Sequence, residues 1–135
     1  MIFIDTNVLV YAMVGQDPAK MRRARALLAE LRQAEAGVLS LQVLRELASV
    51  LYRKSGWTDA QVRKAVEEVM AFPCIRESMA TLKRGMALKA SHGLQFYDAL
   101  VVAAAEEAGC DTVYSEDMGD GAVYGGVRVV NPFAG

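Results

Sequence analysis

The sequence predicts an α/β protein, a three-layer sandwich whose central parallel sheet of about five strands is covered by helices on both faces. The first observation is that short apolar runs alternate along the chain with longer amphipathic segments of helical period. The second is that residues typical of helix ends bound most of the longer segments. Parallel neighbouring strands need long crossover connections, and helices between the strands provide them.

The predicted strands are short and apolar. They are Ile2 to Ile4, Val38 to Leu39, Cys74 to Ile75, Thr112 to Tyr114 and Val127 to Val130. The run at Cys74 has the weakest pattern. Helical patterns lie between the runs, so we expect the strands to form a parallel sheet.

The helical segments have recognisable starts and ends. Helices are predicted to begin near Val8, Pro18, Ser40, Thr58, residue 78 and Gln95. Pro18 suits a first helical turn, and Ser40 and Thr58 can cap the helices that follow them. Residues that mark the ends of four segments are Gly37, Gly56, Pro73 and Gly109. The apolar stripe of the second helix comprises Met21, Ala24, Leu27, Leu28 and Leu31.

The size and composition fit one domain with a hydrophobic core. The chain has 135 residues, of which 53% are hydrophobic and 23% are charged. We therefore expect residues 1 to 135 to form a single domain. The apolar stretch at 99 to 105 is too short to span a bilayer, so we expect a soluble, cytoplasmic protein without membrane contact.

Neither zinc nor thiol chemistry is expected. Cys74 and Cys110 have the pattern of small buried hydrophobic residues, and the single His92 cannot complete a zinc site with them. The net charge of −1 is uneven, because residues 1 to 57 carry eight Lys and Arg against five acids, and residues 58 to 135 carry seven against eleven. A polyanion would therefore have to bind through a local basic patch or through a metal ion.

Two acids follow predicted strands. Asp5 separates two apolar runs in MIFIDTNVLV, and Asp117 lies in YSEDMGDG after the strand that ends at Tyr114. Ligands of open parallel sheets bind beyond the carboxyl ends of the strands. If both strands are central, the two carboxylates converge. The alternative is a solvated turn residue or, for Asp5, a helix cap.

Two further acids lie on predicted helices. Asp98, in LQFYDALVVAAA, follows Leu94 by four residues and precedes Val101 and Val102 by three and four, so its face of the helix is apolar. A carboxylate there needs a partner, unless it is only a first-turn acid favoured by the helix dipole. Glu46 lies on the flank of an apolar stripe and, taken alone, is typical of a solvated side chain.

In combination, these residues resemble the PIN-domain nucleases. The acids occur in the order Asp, Glu, Asp, Asp, together with DTNVLV after the first strand, FYDALVVAAAEEAG on a late helix, and a closing VVNPF. The match covers nearly the whole chain. Its length and lack of added domains are most similar to the VapC-type toxins of toxin–antitoxin systems.

The resemblance implies a site that is carried over residue by residue. Its acidic members, as catalytic residues and metal ligands, are Asp5, Glu46, Asp98 and Asp117. Its supporting polar residues are Thr6, Asn7 and Ser115. The YSEDMGDG loop offers three acids, so the resemblance leaves open whether Glu116 or Asp120 takes the place of Asp117.

The chemistry of these residues agrees with the resemblance. Clustered carboxylates repel one another and persist where a divalent cation neutralises them. Ligands that are all oxygen favour hard ions, hence Mg²⁺ or Mn²⁺, which can bind a phosphodiester oxygen and activate water. The resemblance therefore implies a metal-dependent endoribonuclease that hydrolyses RNA phosphodiester bonds. It also implies a cognate antitoxin protein and a homodimer.

Other functions stay open at this point. The same residues suit a PIN nuclease of RNA processing or decay without an antitoxin, or a catalytically inactive PIN-fold binding module. A phosphoacceptor receiver domain is disfavoured because Ser115 and Glu116, rather than a lysine, follow the late strand. A haloacid-dehalogenase-type phosphatase needs a second Asp where Asn7 stands. The basic run KMRRAR at 20 to 25 is either an RNA contact or a solvated helix face.

Overall fold

The computed structural model describes residues 1–134 as a mixed α/β fold. Its helices are α1 (Thr6–Met13), α2 (Pro18–Gln33), α3 (Leu41–Arg53), α4 (Asp59–Val69), α5 (Met79–His92) and α6 (Phe96–Glu107). Its strands are β1 (Ile2–Ile4), β2 (Gly37–Ser40), β3 (Cys74–Ile75), β4 (Thr112–Tyr114), β5 (Val123–Tyr124) and β6 (Val127–Val130). The five predicted strands are all confirmed, and β5 is an additional one.

The sheet has the strand order β3-β2-β1-β4-β6-β5. Its strands run parallel except β5, which pairs antiparallel with β6. The strands β1 and β4 are central neighbours, and their registers match so that Ile4 lies beside Tyr114. The residues that follow them, Asp5 and Ser115, therefore leave the sheet at the same edge. This placement confirms the prediction that the loops after these two strands meet.

Local capping explains where the helices begin. The hydroxyl of Ser40 accepts a hydrogen bond from the backbone N–H of Val43 at 3.3 Å, as predicted for the cap of α3. Thr58 and Gln61 form a reciprocal capping box at the start of α4. Gly93 ends α5 with φ of 68°, a left-handed conformation that glycine adopts without steric cost.

The hydrophobic core lies between the sheet and the helices. The helix α1 packs against α2 and α3, α5 packs against α6, and α6 contacts β4 and β6. The apolar face predicted for α2 is confirmed, since Ala24, Leu27 and Leu31 are buried. All residues from 99 to 105 of α6 are buried as well. The helix that carries Asp98 is therefore held firmly by packing on several sides.

One prediction about burial is wrong. Cys110 is buried as expected, but Cys74 is exposed. The reason is that Cys74 begins the two-residue strand β3 at one edge of the sheet, where only β2 lies beside it.

None of the helices in residues 1–134 has the length and apolar character that crossing a membrane requires.

Candidate active site

Asp5 is the first residue after β1 and is buried, with 6% of its surface exposed. Its Oδ1 accepts a hydrogen bond from the backbone N–H of Thr6 at 2.8 Å, and its Oδ2 accepts one from the Ser115 hydroxyl at 2.7 Å. Asp5 also occupies the N-cap position of α1, which begins two residues earlier than predicted. It is therefore both a helix cap and a carboxylate held at the edge of the sheet.

The Asn7 side chain connects the two loops. Its amide Nδ2 lies 3.1 Å from Ser115 Oγ, 3.1 Å from Asp117 Oδ2 and 3.3 Å from Asp5 Oδ2, all within hydrogen-bonding reach. Its carbonyl Oδ1 accepts a hydrogen bond from the backbone N–H of Glu116 at 3.2 Å. One amide thus orients groups from both strand ends, because it donates and accepts at the same time.

Glu46 reaches the site from α3 and is half-buried. Its Oε2 accepts a hydrogen bond from the Thr6 hydroxyl at 3.0 Å, and its Oε1 accepts one from Gln42 Nε2 at 3.0 Å. The Thr6 hydroxyl therefore connects the first turn of α1 to an acid forty residues later in the chain. The involvement of Gln42 was not predicted from the sequence, although its position one helical turn before Glu46 is compatible with this contact.

Asp98 lies in the first turn of α6 and is half-buried. Burial raises the pKa of its carboxyl above the usual range, and the negative charges of Asp117 and Glu46 raise it further. The apolar face predicted around Asp98 is confirmed, since Val101 and Val102 are buried and Leu94 is half-buried. Asp98 is thus an acid held close to two other acids.

The pKa of Asp5 is raised by the same two causes, burial and neighbouring negative charges. Burial raises the pKa of Asp5 from 3.8 to about 6, opposed by its hydrogen bonds with Ser115 and Thr6, and the charges of Glu46 and Asp98 add to the increase. The four predicted acids are therefore near enough for their charges to act on one another. A concentration of carboxylates of this kind is typical of a functional site.

The three acids of the YSEDMGDG loop have different surroundings. Asp117 faces Asn7 and is exposed, and its charge acts on Asp98. Glu116 instead accepts hydrogen bonds outside the cluster, and Asp120 accepts one from the backbone N–H of Asn131 at 2.9 Å. Of the three, Asp117 is the one directed toward the other acids.

A group that the sequence did not predict stands beside the cluster. Lys20 Nζ lies 2.6 Å from Glu116 Oε2 and 3.2 Å from the Tyr11 hydroxyl, and that hydroxyl donates to Glu116 Oε1 at 2.7 Å. Although burial alone would raise the pKa of Glu116, the hydrogen bonds from Lys20 and Tyr11 lower it below its usual range. Lys20 belongs to the basic run at 20 to 25, which was the only signal in the sequence that pointed to it.

The remainder of that basic run has mixed surroundings. Arg23 donates to the backbone carbonyl of Pro132 at 3.1 Å, and Arg25 donates to that of Ala12 at 2.9 Å. Both arginines thus have structural contacts, while Arg22 is exposed. A contact of this run with RNA stays a prediction.

The donor set fits a hard divalent ion, because carboxylate, hydroxyl and amide oxygens are the ligands that Mg²⁺ and Mn²⁺ prefer. Within residues 1–134, however, no three Asp, Glu, His or Cys side chains are already arranged around one point as a metal cage. Binding an ion would therefore require the acidic side chains to turn toward one another. Neutralising their mutual repulsion would favour that rearrangement.

Comparisons with known proteins agree with this geometry. The family profile described as the PIN domain matches residues 2–119. The chain is 31% identical over 122 residues to Ribonuclease VapC7 of Mycobacterium tuberculosis, a match that covers 87% of this chain and 82% of that protein.

Two solved structures share the fold. A toxin–antitoxin complex from Klebsiella pneumoniae matches with a TM-score of 0.73 at 23% identity and covers 98% of both chains. VapC20 of M. tuberculosis, described as a toxin that cleaves the sarcin–ricin loop, matches with a TM-score of 0.71 at 20% identity and covers 87% of this chain and 90% of that one. Together with the family match, these similarities show that the chain belongs to the PIN-domain family and is related to the VapC toxin ribonucleases.

Proposed function

We propose that this protein is a Mg²⁺- or Mn²⁺-dependent endoribonuclease that hydrolyses RNA phosphodiester bonds, as the toxin of a type II toxin–antitoxin pair. The observation that carries the proposal is the convergence of acidic side chains beyond the ends of β1 and β4. Asn7 Nδ2 lies 3.3 Å from Asp5 Oδ2 and 3.1 Å from Asp117 Oδ2, and the Thr6 hydroxyl donates to Glu46 at 3.0 Å. Nuclease activity is consistent with the relationship to Ribonuclease VapC7. We propose that residues 1 to 135 act as one PIN-like domain.

The proposed ligands of the ion are Asp5, Glu46, Asp98 and Asp117. Held by these residues, such an ion would supply positive charge to a phosphodiester oxygen and would make water more acidic. The hydroxyls of Thr6 and Ser115 donate to Glu46 and Asp5, and the Asn7 amide lies within hydrogen-bonding reach of Asp5 and Asp117. These contacts hold carboxylates from separate elements near one another.

Metal dependence tests the proposal directly. We expect the purified protein to cleave single-stranded RNA in Mg²⁺ or Mn²⁺ and to lose cleavage in excess EDTA, because the cluster has oxygen ligands only. A chelator selective for zinc should have no effect. Undiminished cleavage in EDTA would show that the metal mechanism is wrong.

A matched pair of variants assigns the activity to the cluster. Asp98→Asn should lower cleavage in Mn²⁺ by at least about 100-fold, as is typical when an essential catalytic interaction is lost. Asp59→Asn is the control, because Asp59 is also a first-turn helix acid but lies exposed on α4. Equal rates for the two variants would remove Asp98 from the site.

We further propose two protein partners. A cognate antitoxin with Arg or Lys side chains would complement the acidic site, and bidentate Arg–carboxylate pairs are among the strongest polar contacts. The second partner is another copy of this chain, in a homodimer. Co-expression of the protein from the adjacent reading frame should relieve growth inhibition and block cleavage in vitro.

The same experiments separate the remaining alternatives. A PIN nuclease of RNA processing would cleave RNA in Mn²⁺ but would form no tight complex with the product of the neighbouring gene. A catalytically inactive binding module would bind RNA without cleaving it in either metal.

A further inference from the structure

A cavity of about 360 Å³ opens beside Glu46. Its lining residues are Gln42, Arg45, Glu46, Ser49, Glu77 and Tyr97. Volumes of this size are within the range of small-molecule sites. Because Glu46 lines the cavity and also belongs to the acidic cluster, any group held there would lie next to the proposed cleavage centre.

One wall of the cavity is a stripe of α3 with helical spacing, formed by Gln42, Arg45, Glu46 and Ser49. The lining also includes Tyr97, the neighbour of Asp98 in the first turn of α6, with 63% of its surface exposed. Its ring contacts Phe96 edge-on, with centroids 5.2 Å apart, which restrains the ring. An exposed, restrained aromatic ring beside an RNA-cleaving site is typical of a stacking platform for an unpaired base.

The polar lining is rich in acceptors. Both carboxylate oxygens of Glu77 accept from the backbone N–H of Gln42, at 3.1 and 3.2 Å, so the start of α3 holds this side chain in place. An ionised carboxylate has about four acceptor sites, which leaves capacity for a ligand. Arg45 is the one cationic side chain of the lining and is exposed.

We propose that this cavity binds one nucleobase of the single-stranded RNA substrate next to the cleaved bond, and that it favours bases with an exocyclic amino group. The proposal rests on the proposed ribonuclease function. The base stacks on Tyr97 and donates N–H groups to Glu77, while Arg45 faces the flanking phosphate. Cytosine, adenine and guanine carry an exocyclic amino donor. Uracil carries only its ring N3–H, flanked by two carbonyl oxygens that a carboxylate repels.

The test measures binding of fluorescein-labelled oligo(C), oligo(A) and oligo(U) of equal length by anisotropy in Mg²⁺. It uses the non-cleaving Asp98→Asn background. We expect oligo(C) and oligo(A) to bind at least about fivefold tighter than oligo(U), and Glu77→Gln to reduce that difference. Tyr97→Ala should weaken binding to all three by about tenfold, and Tyr97→Phe should retain it, because stacking needs only the ring.

Two control variants test whether the effects on RNA binding are specific to the residues of the cavity. Tyr52→Ala removes another exposed tyrosine, on α3 but outside the cavity, and should leave binding unchanged. Glu67→Gln neutralises an exposed acid on α4 and should preserve the base preference. Melting temperatures of all variants must match that of the background protein.

Equal affinity for the three oligonucleotides, or no effect of Tyr97→Ala in a folded protein, would overturn the subsite. The ribonuclease function would then still stand if the wild-type protein cleaves RNA in Mn²⁺. The opposite result, a clear base preference without any cleavage by the wild type, would overturn the ribonuclease function and leave a base-binding cavity.

Discussion

The acids of the site differ in how their charges are compensated. Asp5 accepts hydrogen bonds from Thr6, Ser115 and Asn7, which offset part of the cost of its burial. Asp98 receives no hydrogen bond from the other residues that the structure describes, and burial together with the charges of Asp117 and Glu46 raises the pKa of its carboxyl. The charge of Asp98 is therefore less compensated by hydrogen bonds than that of Asp5.

Replacing Asp98 by asparagine should leave the metal-free protein as stable as the wild type or slightly more stable at neutral pH. The neutral amide removes repulsion from Asp117 and Glu46 while preserving the shape of the side chain. The measurement is thermal unfolding in EDTA. An acid that served only the helix dipole would instead contribute about 0.3 to 1 kcal/mol, so its replacement would lower stability.

The matched variant Asp59→Asn shows what is expected when an acid contributes only through the helix dipole. Asp59 is the first-turn acid of α4 and is exposed, so its loss should slightly reduce the melting temperature. If both variants lower the melting temperature equally, Asp98 is an ordinary helix acid.

The stability of the metal-free protein should depend on the protonation of Asp5. Its pKa is about 6 in the folded protein against an ordinary value of 3.8, so the folded state binds the proton more tightly than the unfolded state does. Stability should therefore rise as the pH falls from 7.5 to 5. Over this pH range the single group accounts for about 1.4 kcal/mol of that rise, because pH 5 lies about one unit below its pKa in the folded protein and each unit is worth about 1.4 kcal/mol.

The variant Asp5→Asn isolates this effect. It should flatten the dependence of the unfolding free energy on pH between 7.5 and 5, measured by urea denaturation in EDTA. The dependence should not vanish, because the pKa of Asp98 is raised as well. A slope identical to that of the wild type would show that Asp5 does not titrate in this range.

At the scale of elements, helix α2 is attached to the loop after β4 through a single ion pair. Lys20 on α2 contacts Glu116 in that loop, and the backbone N–H of Glu116 donates to Asn7. Asn7 in turn donates to Asp117. The order of contacts indicates that α2 helps to position Asp117, although no residue of α2 belongs to the acidic cluster.

Lys20→Met should therefore impair cleavage without touching the acids. The change removes the ammonium group that pairs with Glu116 and so loosens the loop that carries Asp117. Loss of such supporting contacts typically costs about 10-fold or more in metal affinity or activity. We expect the apparent affinity for Mn²⁺ to fall, measured by titration of cleavage against metal concentration. Lys20→Arg should restore most of the activity because it retains the cation.

A double variant distinguishes positioning from direct RNA binding. If Lys20 acts through Glu116, Lys20→Met combined with Glu116→Gln should be no worse than the more severe single change. If Lys20 contacts RNA, the two effects should instead multiply, and the Lys20→Met loss should appear as a raised KM.

At the scale of the whole molecule, α5 presents an apolar face. Met79, Leu82 and Met86 recur at helical spacing and are 82%, 42% and 49% exposed. Exposed apolar patches of this kind mark protein–protein contacts. This face supports the proposed homodimer, since two copies can bury the same surface against each other around a two-fold axis.

Introducing a charge into that face should separate the two copies. We expect Leu82→Glu to elute as a monomer in size-exclusion chromatography with light scattering, at concentrations where the wild type is dimeric. The control is Ala60→Glu, which adds the same charge at an exposed position of α4. A dimeric Leu82→Glu protein would place the interface elsewhere.

The sequence by itself predicted the helices, five of the six strands that the structure describes, and the position of Asp5 after the first strand. These features depend on local patterns and on chain order, and the cap at Ser40 needs only the next three residues. The meeting of the two loops also required both strands to be central, which the strand order of the sheet shows.

Only the tertiary structure decided the features that depend on distant parts of the chain. The different surroundings of Glu116 and Asp117 are one such feature. Glu116 pairs with Lys20, which is 96 residues away, whereas Asp117 contacts Asn7. The exposure of Cys74 follows from its place on an edge strand. The raised pKa of Asp5 follows chiefly from burial by elements that are remote in sequence. Short-range patterns carry no information about these neighbours, because tertiary packing brings together residues that are far apart in the sequence.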